Sequence, residues 1–436
     1  MDFKQMFIEN FGEENYLLLE KSFEDLSYRG LRINYNKMID PSFFATLEKH
    51  NFVKDAYIYK KENQDYGKIP YHAQGCYYIQ EPSAMLVGEL LNIKENDLVI
   101  DLCAAPGGKS THVARYLNED GLLISNDINY KRALDLSENI ERMGITNCIV
   151  INSDIKKISE TMQGCFDKVI LDAPCSGEGM FRKNSFAKDD WSMEKVNTCV
   201  NIQKEIILDA YKLLKYDGEM IYSTCTFNKY ENEEMIKFLL ENTNAELIML
   251  PEIEGVDRGI DMKEAIRLFP YHYKGEGHFI CKIRCKDEHR FYNKKEKTQL
   301  IKDKDLIPFT EFEKKSLNTK FDRKRLFLNG EHLYYLPKNA LGMGNLRILR
   351  NGLYLGEIKS KHFVPSHSLA LASKVDSWKL SIDLDDNLIY KYLKGESFDI
   401  VASNGFTLVT YKNNSIGFCK IANNTLKNHY PKGLRK

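Results

Sequence analysis

Between residues 98 and 240 apolar positions follow two alternating rhythms. Short apolar runs at 98–102, 122–126, 148–151, 167–171 and 218–223 read as strands, and stretches of helical spacing at 109–117, 130–142, 196–214 and 230–240 separate most of them. Strands that alternate with helices of this length pair in parallel, with helices on both faces of the sheet. Ligands of such sheets sit beyond the C-terminal ends of the strands. Those ends are polar here: Asp101 with Cys103, Asn126 with Asp127, Asp154, Asp172 with Cys175, and Ser223 with Thr224 and Cys225. Any one of these is as readily a helix cap or turn former. Five ends aiming acids or thiols at one crevice predict a site.

The first strand breaks into Pro106-Gly107-Gly108, a turn whose open backbone lets a ligand approach the chain closely. It is either a cofactor loop or an ordinary strand–helix turn. The dinucleotide pattern GxGxxG and the phosphate-cradling GxxxxGK[ST] are both absent here, which argues against a polyphosphate grip. Asp127, at the end of the second strand, is placed to accept hydrogen bonds from ribose hydroxyls, so a nucleoside-containing ligand is expected.

The flanks differ in pattern. Residues 1–75 mix short amphipathic helices with strands at 31–33 and 56–60, an α+β accessory domain before the α/β domain at 76–284. The strand-like 279–283 is expected to form an antiparallel edge of its sheet. Residues 285–307 are almost wholly charged or polar and read as a linker. From 308 to 436, short strands at 327–328, 332–336, 346–350, 352–358, 398–401, 407–411 and 416–421 predict a β-rich barrel or sandwich. Basic residues there, Arg350, Lys361, Lys432 and Arg435, suit either phosphate contacts or a solvated face.

Composition narrows the class. The 62 basic and 62 acidic side chains cancel, so global electrostatics do not coat a nucleic acid, although a local basic channel remains open. The 25 tyrosines and 23 phenylalanines serve as core or as stacking platforms for bases. Ten irregularly spaced cysteines without a signal-like N-terminus suggest reduced thiols in a cytoplasmic protein, and no spacing points to a metal. No apolar run is long enough to span a membrane. Monomer is the default expectation.

Three stretches now carry a family resemblance. DLCAAPGGKS at 101–110, DAPCSGEGMFRK at 172–183 and STCTFNKYENE at 223–233 closely resemble motifs of the Sun-type RNA cytosine-C5 methyltransferases. YYIQEPSAM at 77–85, NDI at 126–128 and RLFPYHYKGEGHFICK at 267–282 match further family stretches, and GLYLGE at 352–357 with LKNHYPKGLRK at 426–436 resembles the bacterial ribosomal (16S) branch, whose members end in a PUA-like RNA-binding module. The resemblance implies a Rossmann-like fold, S-adenosylmethionine as cofactor and ribosomal RNA as partner, free or within the small subunit. Carried over, it implies that Cys103, Ala104, Ala105, Pro106, Gly107, Gly108, Lys109, Asp127, Arg132, Asp154 and Asp172 surround the cofactor. Cys225 matches the nucleophile, Cys175 the cysteine needed for product release, Asp172 the acid beside cytosine N3, and Lys109 the active-site lysine. Arg182 and Lys183, just past Cys175, are candidates for a phosphate contact.

The chemistry suits these types. Cytosine C5 is a weak nucleophile, and a thiolate adding to C6 pushes electron density onto it. Charge then builds toward N3, where a carboxylic acid could supply a proton if a secluded site raised its pKa. Alternatives are a transfer-RNA cytosine methyltransferase, a DNA cytosine methyltransferase, and a non-catalytic RNA-binding assembly factor on the same scaffold.

Overall fold

The computed structural model describes residues 1–60, 65–182, 188, 190–289 and 301–435. A ten-stranded sheet runs through its middle. Ahead of it lie helices α1 (Phe3–Phe11) and α2 (Glu13–Ser22) and a four-stranded antiparallel sheet of β1 (Tyr28–Ile33), β2 (Glu48–Lys49), β3 (Ala56–Lys60) and β4 (Tyr77–Gln80), ordered β2-β3-β1-β4. Helix α3 (Pro70–Ala73) leads into β4, and α4 (Pro82–Leu90) leaves it.

The central sheet is built on five parallel strands: β5 (Leu98–Asp101), β6 (Leu122–Asn126), β7 (Cys148–Ile151), β8 (Phe166–Asp172) and β9 (Leu214–Thr224). Helices α5 (Gly108–Ala114), α6 (Tyr130–Arg142), α7 (Ile155–Met162), α8 (Met193–Lys212) and α9 (Glu233–Asn242) accompany them. Successive side chains point to opposite faces of a strand. Ile100, Ile124, Ile149 and Ile151 therefore pack with Ile158, Met162 and Ile207 on one face, whereas Val99, Leu123, Cys148 and Val150 pack with Leu86, Val113, Leu136 and Ile140 on the other. Burial on both faces is why these strands read as continuous apolar runs.

Strands β10 (Glu246–Ile248), β11 (Asp257–Gly259), β12 (Met262–Leu268) and β13 (His278–Arg284) follow. β13 runs antiparallel to β9 as expected, but it is internal: β12 and β11 lie beyond it, and β10 also pairs with it. Helix α10 (Asp303–Ser316) takes in the end of the expected linker and carries Pro308 inside it, while 290–300 of that linker lie outside the described residues.

The C-terminal part forms two sheets. One is β14 (Leu326–Asn329), β15 (His332–Tyr335), β17 (Leu353–Ile358) and β18 (Phe363–Pro365); the other is ordered β19-β21-β22-β23-β20, from β19 (Ser381–Leu384), β20 (Phe398–Asp399), β21 (Gly405–Tyr411), β22 (Asn414–Ala422) and β23 (Thr425–Asn428). Phe309, Leu333, Leu355, Trp378, Leu408 and Phe418 share a core across both. The remaining strand, β16 (Ile348–Asn351), is expected from sequence in this unit but pairs antiparallel with β7 and extends the central sheet. Its short apolar start, Ile348-Leu349, declares a strand without declaring the partner.

One buried side chain couples the N-terminal sheet to the first turn of α5. Arg32 in β1 donates from Nη1 and Nη2 to the carbonyls of Thr111 and Gly108 at 3.1 and 3.0 Å, and from Nη2 to the Thr111 hydroxyl at 2.8 Å. Burial, helped by nearby Arg115, pulls its pKa down to about 9. Arg32→Met leaves these acceptors buried without a donor, and a loss of about 3 kcal/mol is expected. A urea titration checks it; an unchanged midpoint would make the contact incidental.

Candidate active site

The turn after β5 folds on itself. The N–H of Ala104 donates to the Asn126 carbonyl at 2.8 Å, and that of Gly107 to the Ala104 carbonyl at 2.7 Å. Gly107 has φ +112°, and a Cβ there would stand 3.1 Å from Leu136 Cδ1, so the position requires glycine. Gly108 and Lys109 open α5, and Pro106 is exposed at the turn's tip.

Around this turn stand unusually placed carboxylates. Asp127, 1% exposed, accepts from the N–H of Ala105 at 3.3 Å and of Asn129 at 2.9 Å. Arg132 closes over it, its Nη2 lying 3.6 Å from Asp127 Oδ2 and donating to the Ala105 carbonyl at 2.6 Å. Asp154 is exposed and caps α7 through the Lys156 N–H at 2.9 Å. Asp101 is fully buried; Oδ2 accepts from Ser110 at 2.8 Å, whereas Oδ1 has no hydrogen-bond partner among the described residues. Burial pushes its pKa up to about 7. Cys103 feels the charges of Asp101, Asp172 and Asp127, and burial above all drives its thiol pKa far up. An orphaned carboxylate oxygen, an acid held at a strand end and a glycine cradle fit a ligand that carries an ammonium group and ribose hydroxyls, as S-adenosylmethionine does. Sequence reasoning named Asp101 as a strand end but did not include it among the cofactor residues.

The next two strands deliver the other half. Parallel pairing of β8 with β9 sets Asp172 opposite Ser223. Asp172 Oδ1 accepts from Ser223 Oγ at 2.7 Å, and Oδ2 from Lys109 Nζ at 2.6 Å. Burial pushes the Asp172 carboxyl up, but the Lys109 ammonium, with a hydrogen bond from Ser223, outweighs it and holds the group below its usual range. Burial likewise opposes the Lys109 charge, and Asp172 reverses that and raises it. The pair is therefore an ammonium and a carboxylate, which corrects the expectation of a raised pKa at Asp172: a secluded site raises an acid only where no cation shares it.

Three residues past Asp172, Cys175 Sγ lies 3.3 Å from Cys225 Sγ. The hydrogen bond to Cys225, burial and the charge of Glu231 push the Cys175 thiol well up, so it keeps its proton. Beneath the sulfurs the loops are tied by two fully buried glutamates. Glu231 accepts from the Ser176 N–H at 3.1 Å, from Asn228 Nδ2 at 2.7 Å and from Gln203 Nε2 at 2.8 Å. Glu178 accepts from the N–H groups of Phe227 and Asn228 at 2.7 and 2.9 Å and from Trp191 Nε1 at 2.9 Å. The Gly179 N–H donates to the Cys225 carbonyl at 2.9 Å. Glu178, Asn228 and Glu231 lie inside the quoted motifs but went unassigned, and Gln203 on α8 carries no motif signal at all.

The RNA-contact candidates divide. Arg182, its side chain 4% exposed, donates from Nε to Glu276 Oε2 at 3.1 Å and from Nη2 to the Gly275 carbonyl at 2.9 Å, so it is an internal tie and not a phosphate contact. Arg350 is buried in β16, with Nη1 on Glu141 at 3.1 Å and Nη2 on Ser368, and is corrected likewise. Lys183 lies outside the described residues. Lys361 and Lys432 are exposed. Arg435 is exposed and donates to the Tyr430 carbonyl at 3.1 Å. Among the described residues no group of side chains is arranged to hold a metal, and no helix is long and apolar enough to cross a membrane.

A Rossmann-like sheet with a glycine cradle, an acid at its second strand end and two facing thiols at its fourth and fifth defines an S-adenosylmethionine-dependent RNA cytosine-C5 methyltransferase. The family described as 16S rRNA methyltransferase RsmB/F matches residues 88–284, and the N-terminal, first C-terminal and PUA domains described for RsmF match 1–82, 311–372 and 379–436. The chain is 32% identical over 383 residues to the ribosomal RNA small subunit methyltransferase F of Shewanella piezotolerans, covering 84% of this chain and 80% of that one. It belongs to the RsmB/F family of 16S rRNA methyltransferases. The corresponding protein of Vibrio vulnificus is 31% identical over 84% of this chain and 81% of its own. A methyltransferase homologue from Pyrococcus horikoshii superposes with a TM-score of 0.57 at 27% identity, covering 64% of this chain and 93% of that one. NSun6 from the same organism, at 20% identity, shares the fold with a TM-score of 0.60 over 66% of this chain and 98% of its own.

The buried arginines make a sharp expectation. Arg182→Ala and Arg350→Ala each cost about 2–4 kcal/mol of stability by leaving buried partners unpaired, whereas Lys432→Ala leaves it unchanged. Urea melts of the three variants decide; a native midpoint for Arg182→Ala would return it to the surface.

Proposed function

We propose that this chain methylates C5 of a cytidine in small-subunit ribosomal RNA, with Cys225 forming a bond to C6 and Cys175 assisting its release. The observation that carries this is the 3.3 Å separation of the two sulfurs beside the Lys109–Asp172 pair. Cys175, holding its proton, donates toward Cys225, and the Lys109 ammonium lies near enough to Cys225 for their charges to interact.

Attack by Cys225 Sγ on C6 makes a carbon–sulfur bond and moves the C5–C6 electron pair onto C5 and the ring. Charge that builds toward N3 meets the Lys109 ammonium through Asp172, which accepts the Lys109 proton at Oδ2 and presents it as the acid needed there. The bound S-adenosylmethionine supplies the electrophilic methyl group. A water that the Cys175 thiol orients then takes the C5 proton, because a thiol that keeps its own proton is not itself the base. The electron pair of the broken C5–H bond restores the C5–C6 double bond as the C6–sulfur bond breaks to free Cys225. The turn from Cys103 to Lys109, with Asp127, Arg132, Asp154 and Asp172, holds the cofactor, and Asp101 Oδ1 adds an acceptor.

The target base reaches this crevice only when unpaired or flipped out. Lys361, Lys432 and Arg435 are the remaining candidates for RNA contact. Lys361 borders a cleft between α10, β18 and β21 that Phe312, Phe406, Lys315 and Lys420 also line, a pairing of aromatic and basic side chains suited to single-stranded RNA. The relatives in Shewanella and Vibrio are ribosomal RNA small subunit methyltransferases, which favours ribosomal over transfer RNA. We read the chain as a cytoplasmic monomer, with an accessory unit at 1–75, the methyltransferase unit at 76–284, a linker at 285–307 and an RNA-binding unit at 308–436.

Incubated with substrate RNA and cofactor, Cys175→Ala is expected to leave a protein–RNA adduct on a denaturing gel and Cys225→Ala none; the opposite pattern would exchange their roles. Asp127→Ala lowers cofactor affinity by roughly 10–100-fold, the loss of charged hydrogen bonds, and calorimetric titration at native affinity would remove it from the ribose role. Bisulfite sequencing of ribosomal RNA from cells with and without the protein tests the substrate; methylation lost only from transfer RNA would favour that alternative.

A further inference from the structure

His278 opens β13 one residue before Phe279, whose pairing with Thr224 ends the β13–β9 ladder, so it lies at the end of the sheet from which Cys225 continues. The residue is 6% exposed. Its Nδ1 lies 3.3 Å from Ser83 Oγ. The Ser83 hydroxyl donates to Glu81, whose carboxylate also accepts the N–H groups of Ser83, Ala84 and Glu276. Ser83 Oγ is thereby left as an acceptor toward His278, and Nδ1 carries the ring's proton. Burial, with the neighbouring Lys109 ammonium, keeps the ring neutral.

Nε2 is then a bare lone pair. It has no hydrogen-bond partner among the described residues and stands 3.9 Å from Asp172 Oδ1, beyond hydrogen-bond reach. Two acceptors thus face one another, and among the described residues no donor reaches Nε2 to fill the gap. An amino nitrogen about 2.9 Å from each would bridge that gap with one N–H to each acceptor.

We propose that His278 is a specificity-determining residue, its Nε2 accepting one N–H of the cytosine exocyclic amine while Asp172 Oδ1 accepts the other. This rests on the cytosine-methylating function proposed above and adds to it the device that rejects uracil, whose carbonyl at that position would meet two lone pairs. A site built around a donor discriminates strongly against an analogue that lacks it.

The test is a cycle in which the amine and the imidazole are removed separately and together. An RNA oligonucleotide spanning the methylated cytidine, and the same RNA with a 2-pyrimidinone ribonucleoside there, are assayed with the wild-type chain, His278→Phe and His278→Gln. The phenyl ring keeps the shape and removes the acceptor; the glutamine restores one. The wild type is expected to prefer cytidine in kcat/KM, His278→Phe to lose about 100-fold of that preference, and His278→Gln to regain part of it. An unchanged preference in His278→Phe overturns the proposal, because a merely structural role lowers both substrates alike. Should the phenyl variant not fold, His278→Leu takes its place as the acceptor-free variant: a lost cytidine preference supports the proposal and an unchanged one overturns it. Failure of the wild type to methylate cytidine at all would instead overturn the underlying function.

Discussion

Two buried glutamates under the catalytic loops are the constraint on which the site depends. Glu178 and Glu231 gather backbone and side-chain donors from the loop after β8, the loop after β9 and helix α8. A buried carboxylate is tolerated only where donors surround it. Each donor lost from either loop leaves part of that charge unpaired, so the loops are held to one another more firmly than the short strands alone would hold them. The sulfurs of Cys175 and Cys225 sit on top of this framework, and their separation follows from it.

Electrostatics then hold the Cys175 thiol in its protonated form. Cys175 is pushed up by its hydrogen bond to Cys225 and by burial, with Glu231 adding to it. Lys109 is drawn to the crevice by Asp172 and reaches Cys225 with its charge. In the proposed reaction one acid and one cation serve both halves, because the same Lys109 opens α5 and pairs with Asp172. The N-terminal sheet enters here too: through Arg32 it grips the first turn of the helix that carries Lys109.

Much of this was legible in the chain. The parallel strands and helix α6 declare themselves because burial on both faces makes unbroken apolar runs, and the rule that ligands sit at strand ends collects Asp101, Asp127, Asp172 and the cysteines without further information. What was not legible depends on partners distant in sequence. Strand β16 looks like its neighbours in sequence but pairs with β7, nearly two hundred residues earlier. Arg182 and Arg350 look like surface cations until Glu276 and Glu141 are brought against them. The pKa of Asp172 depends on a lysine from another strand end, and local burial alone predicts the wrong sign.

The central claim is that two thiols face one extruded base and that only one of them bonds to it. Replacing the target cytidine by 5-fluorocytidine blocks the elimination step and should trap the protein on the RNA. Mass-spectrometric mapping of the nuclease-trimmed adduct is expected to place the modified nucleotide on Cys225. A nucleotide on Cys175, or no adduct while methyl transfer to unmodified RNA proceeds, would contradict the account.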